Sequence, residues 1–371
     1  MWPDRRLIDL FKIEHPLILA PMAGFGTVEL AAAVCEAGGL GSIGCATMQP
    51  QIAAKAIQDF RGLTSKPLNV NFFCHLPASG DAEREQAWHR RLLPYYRELG
   101  IDHGPRPSRM DLAPFGEPMC EVLESTKPEV VSFHFGLPDH ALLARVKAAG
   151  CRVMSSATTV EEARWLEARG VDAIIAQGYE AGGHRGMFLA TNLNNTIASQ
   201  PGTLALVPQI VDAVSVPVVA AGGIADGRGI AAAFALGASA TQIGTAYLRC
   251  PEAVTSSLHR HALRHVREDA TLLTNVFSGR PARAIANRLA IELGPISDAP
   301  PDFPLPIGAL RPLQAEAELK ACSDFTPLWS GQSAPLGKEM PAKALTLKLA
   351  REAIERFRHL GAGDRQAAAA Y

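Results

Sequence analysis

This sequence of 371 residues has almost no excess charge, no paired cysteines and no long apolar run, and each absence excludes a class of protein. Lys and Arg total 36 and Asp and Glu total 37, for a net charge of -1, which argues against a nucleic-acid or membrane-surface partner. The 7 cysteines form no CxxC pair, a pattern typical of reduced thiols rather than of a disulfide framework. With no recognisable signal peptide or transmembrane span, we expect a cytoplasmic protein.

Motifs for several common kinds of catalytic site are also missing. HExxH and the Cys/His spacings of zinc sites do not occur, so we predict no metal. The serine elbow GxSxG is absent, and no GxGxxG opens the turn after the first predicted strand. These absences disfavour serine-nucleophile chemistry and the usual dinucleotide-binding fold.

Apolar, strand-like runs alternate with helical segments over the first 250 residues. The runs are continuous, as in parallel strands that helices cover. We predict an α/β fold, a (β/α)8 TIM barrel over residues 1–250, and the alternative is an open doubly wound sheet. Residues 74–128 break the rhythm and are predicted to be an insertion at the active-site mouth. Residues 251–333 are predicted to form a smaller α-rich lid domain of helices without strands, and residues 334–371 a C-terminal helix that packs on the barrel.

Glycine-containing turns follow the last two predicted strands, Val216–Ala220 and Ala240–Ile243. The first turn contains Gly222-Gly223 and the second contains Gly244-Thr245. Glycine lets backbone N–H groups approach phosphate oxygens, and the N-terminus of a following helix adds positive potential. Barrels of this type commonly bind phosphate after strands seven and eight. Either turn could be merely tight, but two turns on adjacent strands favour a phosphate-bearing ligand.

Amide and imidazole side chains lie at the ends of other predicted strands. Asn71 lies near the end of strand three and Gln177 ends strand six, where amides can hydrogen-bond a planar heterocycle such as the pyrimidine side of a flavin. His134 lies near the end of strand four, Val130–Phe135, between two phenylalanines, and His184 lies in a glycine-rich loop after strand six. Such a histidine can take a proton from a carbon acid or stabilise an anion. Each of the four could instead make a structural hydrogen bond, but with the phosphate turns they indicate a mononucleotide-dependent enzyme.

Several segments resemble the nitronate monooxygenases, formerly called 2-nitropropane dioxygenases. The resemblance runs from about Pro16 to Ser333, and its most specific parts are SFHFG around His134 and GGHRG around His184. It also includes Leu19–Gly24, Asn69–Phe73, Ala176–Gly186, the two glycine turns and Leu328–Ser333.

The resemblance implies FMN as a non-covalent cofactor and an active site that contains His134 and His184, the catalytic residues that we predict. It implies that His184 is the base when a neutral nitroalkane is the substrate. It also implies FMN contacts by residues of the shared motifs, which we predict to be Ala20, Pro21, Met22, Ala23, Asn71, Gln177, Gly182, Gly183, Ala221, Gly222, Gly223, Gln242, Ile243, Gly244 and Thr245.

The activity that the resemblance implies is a class I oxidation of alkyl nitronates, notably propionate 3-nitronate, with O2. The expected products are a carbonyl compound and nitrite or nitrate, without a reduced nicotinamide cofactor, and we expect a monomer or a homodimer. Two alternatives share the FMN barrel: an NADH:quinone reductase and an enoyl-acyl-carrier-protein reductase. A third alternative is a non-catalytic flavin-binding protein.

Overall fold

A computed structural model describes residues 1–78, 80–104 and 112–368. Residues 79, 105–111 and 369–371, which belong to the predicted insertion and the predicted C-terminal segment, lie outside the described residues. The strands are β1 Leu17–Leu19, β2 Gly41–Gly44, β3 Leu68–Phe73, β4 Val130–His134, β5 Arg152–Ala157, β6 Ala173–Gln177, β7 Gly183–His184, β8 Val218–Ala221, β9 Ala240–Ile243, β10 Thr271–Thr274 and β11 Ala282–Ile285.

The helices are α1 Arg6–Phe11, α2 Val28–Glu36, α3 Pro50–Leu63, α4 Ala82–Leu99, α5 Glu117–Thr126, α6 His140–Ala148, α7 Val160–Glu167, α8 Leu193–Thr196, α9 Thr203–Val211, α10 Gly227–Ala235, α11 Ser257–His265, α12 Arg288–Leu293, α13 Pro306–Leu319 and α14 Ala342–Ala368. Short 3-10 helices cover Ile197–Ser199, Tyr247–Arg249 and Ala334–Leu336. Within the ranges that the structure describes, no helix combines the length and the apolar character needed to cross a membrane.

A parallel sheet of eight strands forms the centre of the molecule. Its order is β1-β9-β8-β6-β5-β4-β3-β2, and every neighbouring pair is parallel. A parallel bridge between Ile18 and Leu40 joins the two ends, with the Leu19 amide 2.9 Å from the Leu40 carbonyl oxygen. The predicted TIM barrel is thus confirmed, and the predicted seventh and eighth strands are β8 and β9.

The barrel helices begin at short polar side chains and cover strands that are buried on both faces. Thr27, Asp139, Thr159 and Asp226 are the N-caps of α2, α6, α7 and α10, and each side chain accepts a hydrogen bond from a first-turn amide. β2, β6 and β8 are buried at every position. This double burial explains why the strands are continuous apolar runs in the sequence.

A second, antiparallel sheet lies outside the barrel and corrects one prediction. We predicted helices without strands after residue 250, but β10 and β11 pair with each other, and β11 also pairs with β7 from the loop after β6. The residue pairs Ala282–His184 and Arg283–Gly183 set this register. Strands of four residues leave too short a pattern to separate from a loop. The loop that carries His184 is therefore tied to the C-terminal part of the chain.

The predicted insertion contributes helices in two different positions. α4 packs against α13 of the C-terminal region, whereas α5 packs against α3 and α6 on the outside of the barrel. α14 packs against α10 and α2. The boundaries that we set at residues 74–128, 251–333 and 334–371 stay predictions.

Candidate active site

A cavity of about 380 Å³ opens at the carboxyl ends of the barrel strands, where active sites of this fold lie. Both predicted catalytic histidines and nearly all predicted cofactor contacts line it. The lining includes Ala20, Pro21, Met22, Ala23, Asn71, His134, Gln177, Gly182, Gly183, His184, Ala221, Gly222, Gly223, Gln242, Gly244 and Thr245. The exception is Ile243, whose side chain is 1% exposed and packs in the hydrophobic core instead.

Unpaired peptide N–H groups mark one end of the cavity, which we name the inner end. It consists of Gly222 and Gly223 after β8 and of Gly244 and Thr245 after β9. The backbone amides of these four residues donate no hydrogen bond to any residue that the structure describes. Gly222 and Gly223 have φ of 109° and 71°, a region that favours glycine. Since native proteins pair nearly all of their backbone donors, this group of amides fits an anion such as a phosphate.

The helix after β8 contributes less to the inner end than the sequence predicted. Asp226 accepts hydrogen bonds from the amides of Arg228 and Gly229, and the Gly227 amide donates to the Glu352 carboxylate at 3.2 Å. Two carboxylates thus occupy the first amides of α10. The free donors lie in the turn before the helix and not at the helix N-terminus.

The amide side chains expected to face a heterocycle are partly engaged by the protein. Gln177 donates from Nε2 to the His184 carbonyl at 2.9 Å and accepts from the Gly186 amide at 2.8 Å. Asn71 Nδ2 donates to the carbonyl and the hydroxyl of Ser132, both at 3.0 Å. Gln242 Oε1, in contrast, is buried and has no donor among the described residues. Gln242 Oε1 and Asn71 Oδ1, which also accepts from no described residue, are therefore the amide oxygens left for a bound ring.

His134 has both of its ring nitrogens engaged. Nε2 lies 3.1 Å from the His184 carbonyl oxygen, which can only accept, so Nε2 carries the proton. Nδ1 lies 2.6 Å from the Ser156 hydroxyl. Burial lowers the pKa of His134 from 6.5 to about 4, and the neutral ring then accepts the Ser156 proton on Nδ1. This arrangement connects β4, β5 and the peptide of His184.

Gly186 is needed for this arrangement because no side chain fits there. A Cβ on Gly186 would lie 2.6 Å from Ser156 Oγ and 2.9 Å from His134 Cε1. The last glycine of the GGHRG segment thus permits the close approach of the His184 loop to His134.

His184 is held on one side and open on the other. Nε2 lies 2.8 Å from Ser278 Oγ, and that hydroxyl lies 3.3 Å from the Arg280 carbonyl oxygen. The ring packs against Phe303 and Trp329 at centroid distances of 5.5 and 5.2 Å. Nδ1 has no hydrogen bond to a described residue, and the side chain lines the cavity. Burial, followed by the fields of His134, Arg280 and His75, lowers the pKa of His184 from 6.5 to about 3, so the ring is neutral near pH 7.

The opposite side of the cavity, which we name the outer wall, is mostly apolar and comes from outside the barrel. It consists of Leu112, Phe277, Phe303, Ile307, Leu310, Arg311, Gln314, Phe325, Pro327 and Trp329. Among all described residues that line the cavity, Arg311 is the one with a Lys, Arg, Asp or Glu side chain. It is exposed on α13, and it has no ion pair or hydrogen bond with the described residues.

The sequence analysis missed several residues that shape the site. Ser156 is the penultimate residue of β5 and could have been found by the strand-end argument that selected His134 and Gln177. Ser278 and Arg280 have no such signal, because the pairing of β7 with β11 is what brings them near His184. Trp329 lies in the segment Leu328–Ser333 of the family resemblance, but the sequence analysis gave it no role in the site.

Comparison with known proteins shows one family over nearly the whole chain. The family model for nitronate monooxygenase matches residues 4–352. The nitronate monooxygenase of Paraburkholderia phytofirmans is 44% identical over 359 residues, with 95% of this chain and 97% of the relative covered. That of Pseudomonas aeruginosa is 44% identical over 349 residues, with 94% of this chain and 98% of the relative covered.

Solved structures with a similar fold are consistent with this result. The nitroalkane oxidase from Streptomyces ansochromogenes has a TM-score of 0.87 and 38% sequence identity, with 96% of this chain and 99% of that chain covered. FabK from Thermotoga maritima has a TM-score of 0.71 and 30% sequence identity, with 96% and 98% covered.

Proposed function

The chain belongs to the nitronate monooxygenase family, whose members are flavin-dependent oxidoreductases, and on this premise we propose that its cofactor is FMN and its preferred substrate propionate 3-nitronate. The observation that carries the choice of FMN is the inner end, where four amides without acceptors suit a terminal phosphate. Gln242 lies in β9, just before the turn of Gly244 and Thr245, and its Oε1 can accept a hydrogen bond from an N–H group of the flavin ring. When bound, the flavin supplies the electron-transfer chemistry toward O2.

The two histidines have different roles in this proposal. The Ser278 hydroxyl donates to the Arg280 carbonyl, so His184 donates to Ser278 from Nε2 and keeps the Nδ1 lone pair free. This nitrogen can take the proton from the carbon next to the nitro group of a nitroalkane. His134 has no free nitrogen and instead holds the His184 peptide, so we assign it a positioning role.

The substrate class follows from the outer wall. Its apolar side chains exclude water from the carbon chain of a small nitronate, and Arg311 adds one unpaired positive charge at the rim. A guanidinium at this position suits the carboxylate of propionate 3-nitronate.

Two measurements on the purified protein test the proposal. We expect the absorption spectrum of bound FMN, identified by its mass after release, and steady oxygen consumption with propionate 3-nitronate. A colourless protein that does not take up added FMN would contradict the cofactor assignment. Rapid anaerobic bleaching by NADH, with no oxygen uptake on nitronates, would favour a reductase instead.

A further inference from the structure

Arg280 lies in the loop between β10 and β11, beside the catalytic histidine but behind the wall of the cavity. The loop is fixed close to Ser278, because the Arg280 amide donates to the Ser278 hydroxyl at 3.4 Å and that hydroxyl contacts His184. The guanidinium carbon stacks 4.2 Å from the ring centroid of Phe135, which follows His134 in the chain. Phe135 has φ of 68°, a rare conformation for a bulky residue, and this places its ring between the guanidinium and the active site.

Apart from the Phe135 ring, the positive charge of Arg280 has no contact partner in the described part of the chain. Its side chain makes no hydrogen bond and no ion pair there, and its Nη1 is buried without an acceptor. Glu162 is the acid whose field reaches Arg280, but its carboxylate already accepts from the Thr158 amide and hydroxyl and from the Phe188 and Leu189 amides. The guanidinium charge is therefore not neutralised at close range.

Two other buried arginines nearby differ from Arg280 in this respect. Arg185 donates to the carbonyls of Gln177 and Gly178, and Arg283 donates to the Tyr179 carbonyl at 3.0 Å and to Thr271. Their cationic groups hold the loop after β6 in place. Arg280 stabilises no backbone in this way. Its side chain is partly buried and its Nη1 is fully buried without an acceptor, which is an unfavourable position for a charge. Because the unpaired charge of Arg280 does not stabilise the fold, we look for its role in an interaction with a bound ligand.

The histidines cannot supply the positive charge that an anionic substrate needs. His75, His134 and His184 lie within the field of Arg280, and burial lowers their pKa values to about 4, 4 and 3. All three rings are neutral at physiological pH. The Arg280 guanidinium stays charged across this range, and its field acts on all three rings.

Building on the proposed function, we propose that Arg280 makes the cavity selective for negatively charged substrates, favouring a nitronate anion beside His184 over its neutral nitroalkane. Its charge acts on the substrate from behind the rings of Phe135 and His184, without contact, so Arg280 is a positioning residue and not a catalytic one. Its effect is a uniform positive potential at the reacting end, distinct from the carboxylate contact that we assign to Arg311.

The test compares Arg280→Gln, Arg280→Met and Arg280→Lys with the wild type and with the control Arg267→Gln, which removes an exposed charge paired to Asp269. Initial rates give kcat/KM for ethyl nitronate and, separately, for freshly dissolved nitroethane. We expect the Gln and Met variants to lose about tenfold in kcat/KM on the nitronate and much less on nitroethane. The Lys variant should keep most of the selectivity, and the control should match the wild type.

A binding measurement provides a readout that does not depend on turnover. Nitrate is a planar anion of the same charge as a nitronate, and calorimetric titration of the purified holoprotein gives its Kd. We expect the Kd to rise about tenfold in the Gln and Met variants and to stay near the wild-type value in the Lys variant.

Several results would overturn the inference. Equal losses on both substrates indicate a structural role, and unchanged selectivity in a folded, flavin-containing Gln or Met variant indicates no role. If both variants fail to fold, loss of selectivity in the Lys variant or absence of nitrate binding by the wild type contradicts the assignment. A wild type that binds nitrate but oxidises no nitronate would disprove the proposed function while leaving the anion site intact.

Discussion

The inner end and the outer wall of the same cavity are built in opposite ways. The inner end uses main-chain amides of two turns that follow neighbouring strands, β8 and β9. The outer wall uses side chains, and most of them come from residues 277–329, which lie outside the barrel. Strands in a barrel fix their turns with little freedom, whereas side chains on α13 can change without disturbing the strands.

This difference suggests a division of work. In the proposed function, the inner end recognises the phosphate of the cofactor through a geometry that is independent of side-chain identity, and the outer wall recognises the variable part of the substrate. Changes at the inner end should therefore affect all activity at once, and changes at the outer wall should affect one substrate relative to another.

The largest expected effect is the loss of the cofactor in Gly222→Ala. At φ of 109° an added Cβ is strained, and it would lie 3.0 Å from the Ala181 amide nitrogen and from Thr203 Oγ1. Such strain costs about 1–3 kcal/mol and shifts the amides of the turn. We expect a low ratio of flavin to protein, measured from the absorption spectrum, with activity lost in proportion.

The control for this variant is Gly62→Ala, where the added Cβ meets no atom within 4 Å. It should keep the wild-type flavin content. Full flavin content in Gly222→Ala would remove the inner end from the phosphate assignment.

Replacing the histidine between the two regions should separate neutral from anionic substrates. In His184→Asn the base is lost, so kcat/KM for nitroethane should fall by about 10²–10⁴-fold, a typical value for a general base. Ethyl nitronate needs no proton removal, so its loss should be smaller. His140→Asn, an exposed position at the start of α6, serves as the control. An equal loss on both substrates would argue against the role of a base.

A smaller and more selective effect is expected at the outer wall. Arg311→Gln should raise KM for propionate 3-nitronate by up to about fivefold, because exposed charge pairs contribute at most about 1 kcal/mol. KM for ethyl nitronate, which has no carboxylate, and the flavin content should not change. Arg311→Lys keeps the charge and should remain close to the wild type. A parallel rise for both nitronates would contradict carboxylate recognition.

The smallest expected effect concerns pH. The pKa values of His134 and His184 are lowered to about 4 and 3, so both rings lose their protons well below neutral pH and remain neutral as the pH rises from 5 to 8. The kcat/KM for a fully ionised nitronate should therefore show no histidine titration in this range. A change in kcat/KM centred near pH 6.5, the ordinary pKa of histidine, would mean that one of these rings is more solvated than the structure shows.

The barrel and the inner end could be predicted from the sequence because each depends on local patterns. Buried parallel strands leave continuous apolar runs, and the residue after each run has to lie at the carboxyl end of the barrel. His134 and the two glycine turns were found in this way. Gln177 was found too, but its hydrogen-bond partners could not be predicted. Its side-chain amide bonds to the backbone of residues 184 and 186, in the loop that follows β6.

The outer wall could not be predicted for a physical reason. Its residues meet the barrel loops through contacts between distant parts of the chain, such as Phe303 with His184 and Trp329 with the same ring. Arg283 is a second example of a residue whose position the sequence does not reveal. It is 2% exposed inside β11, whereas an arginine is normally expected at the surface.

The pairing of β7 with β11 has a consequence for any shortened or recombined version of this chain. A fragment that stopped after the eighth barrel strand would keep the turns of the inner end but would lack the neighbouring strand that orients His184. Such a fragment is expected to be yellow yet inert. A chimaera that exchanged everything after residue 250 with a relative would take over the strand that orients His184 together with most of the outer wall, so we expect the orientation of this histidine and the substrate selectivity to change together.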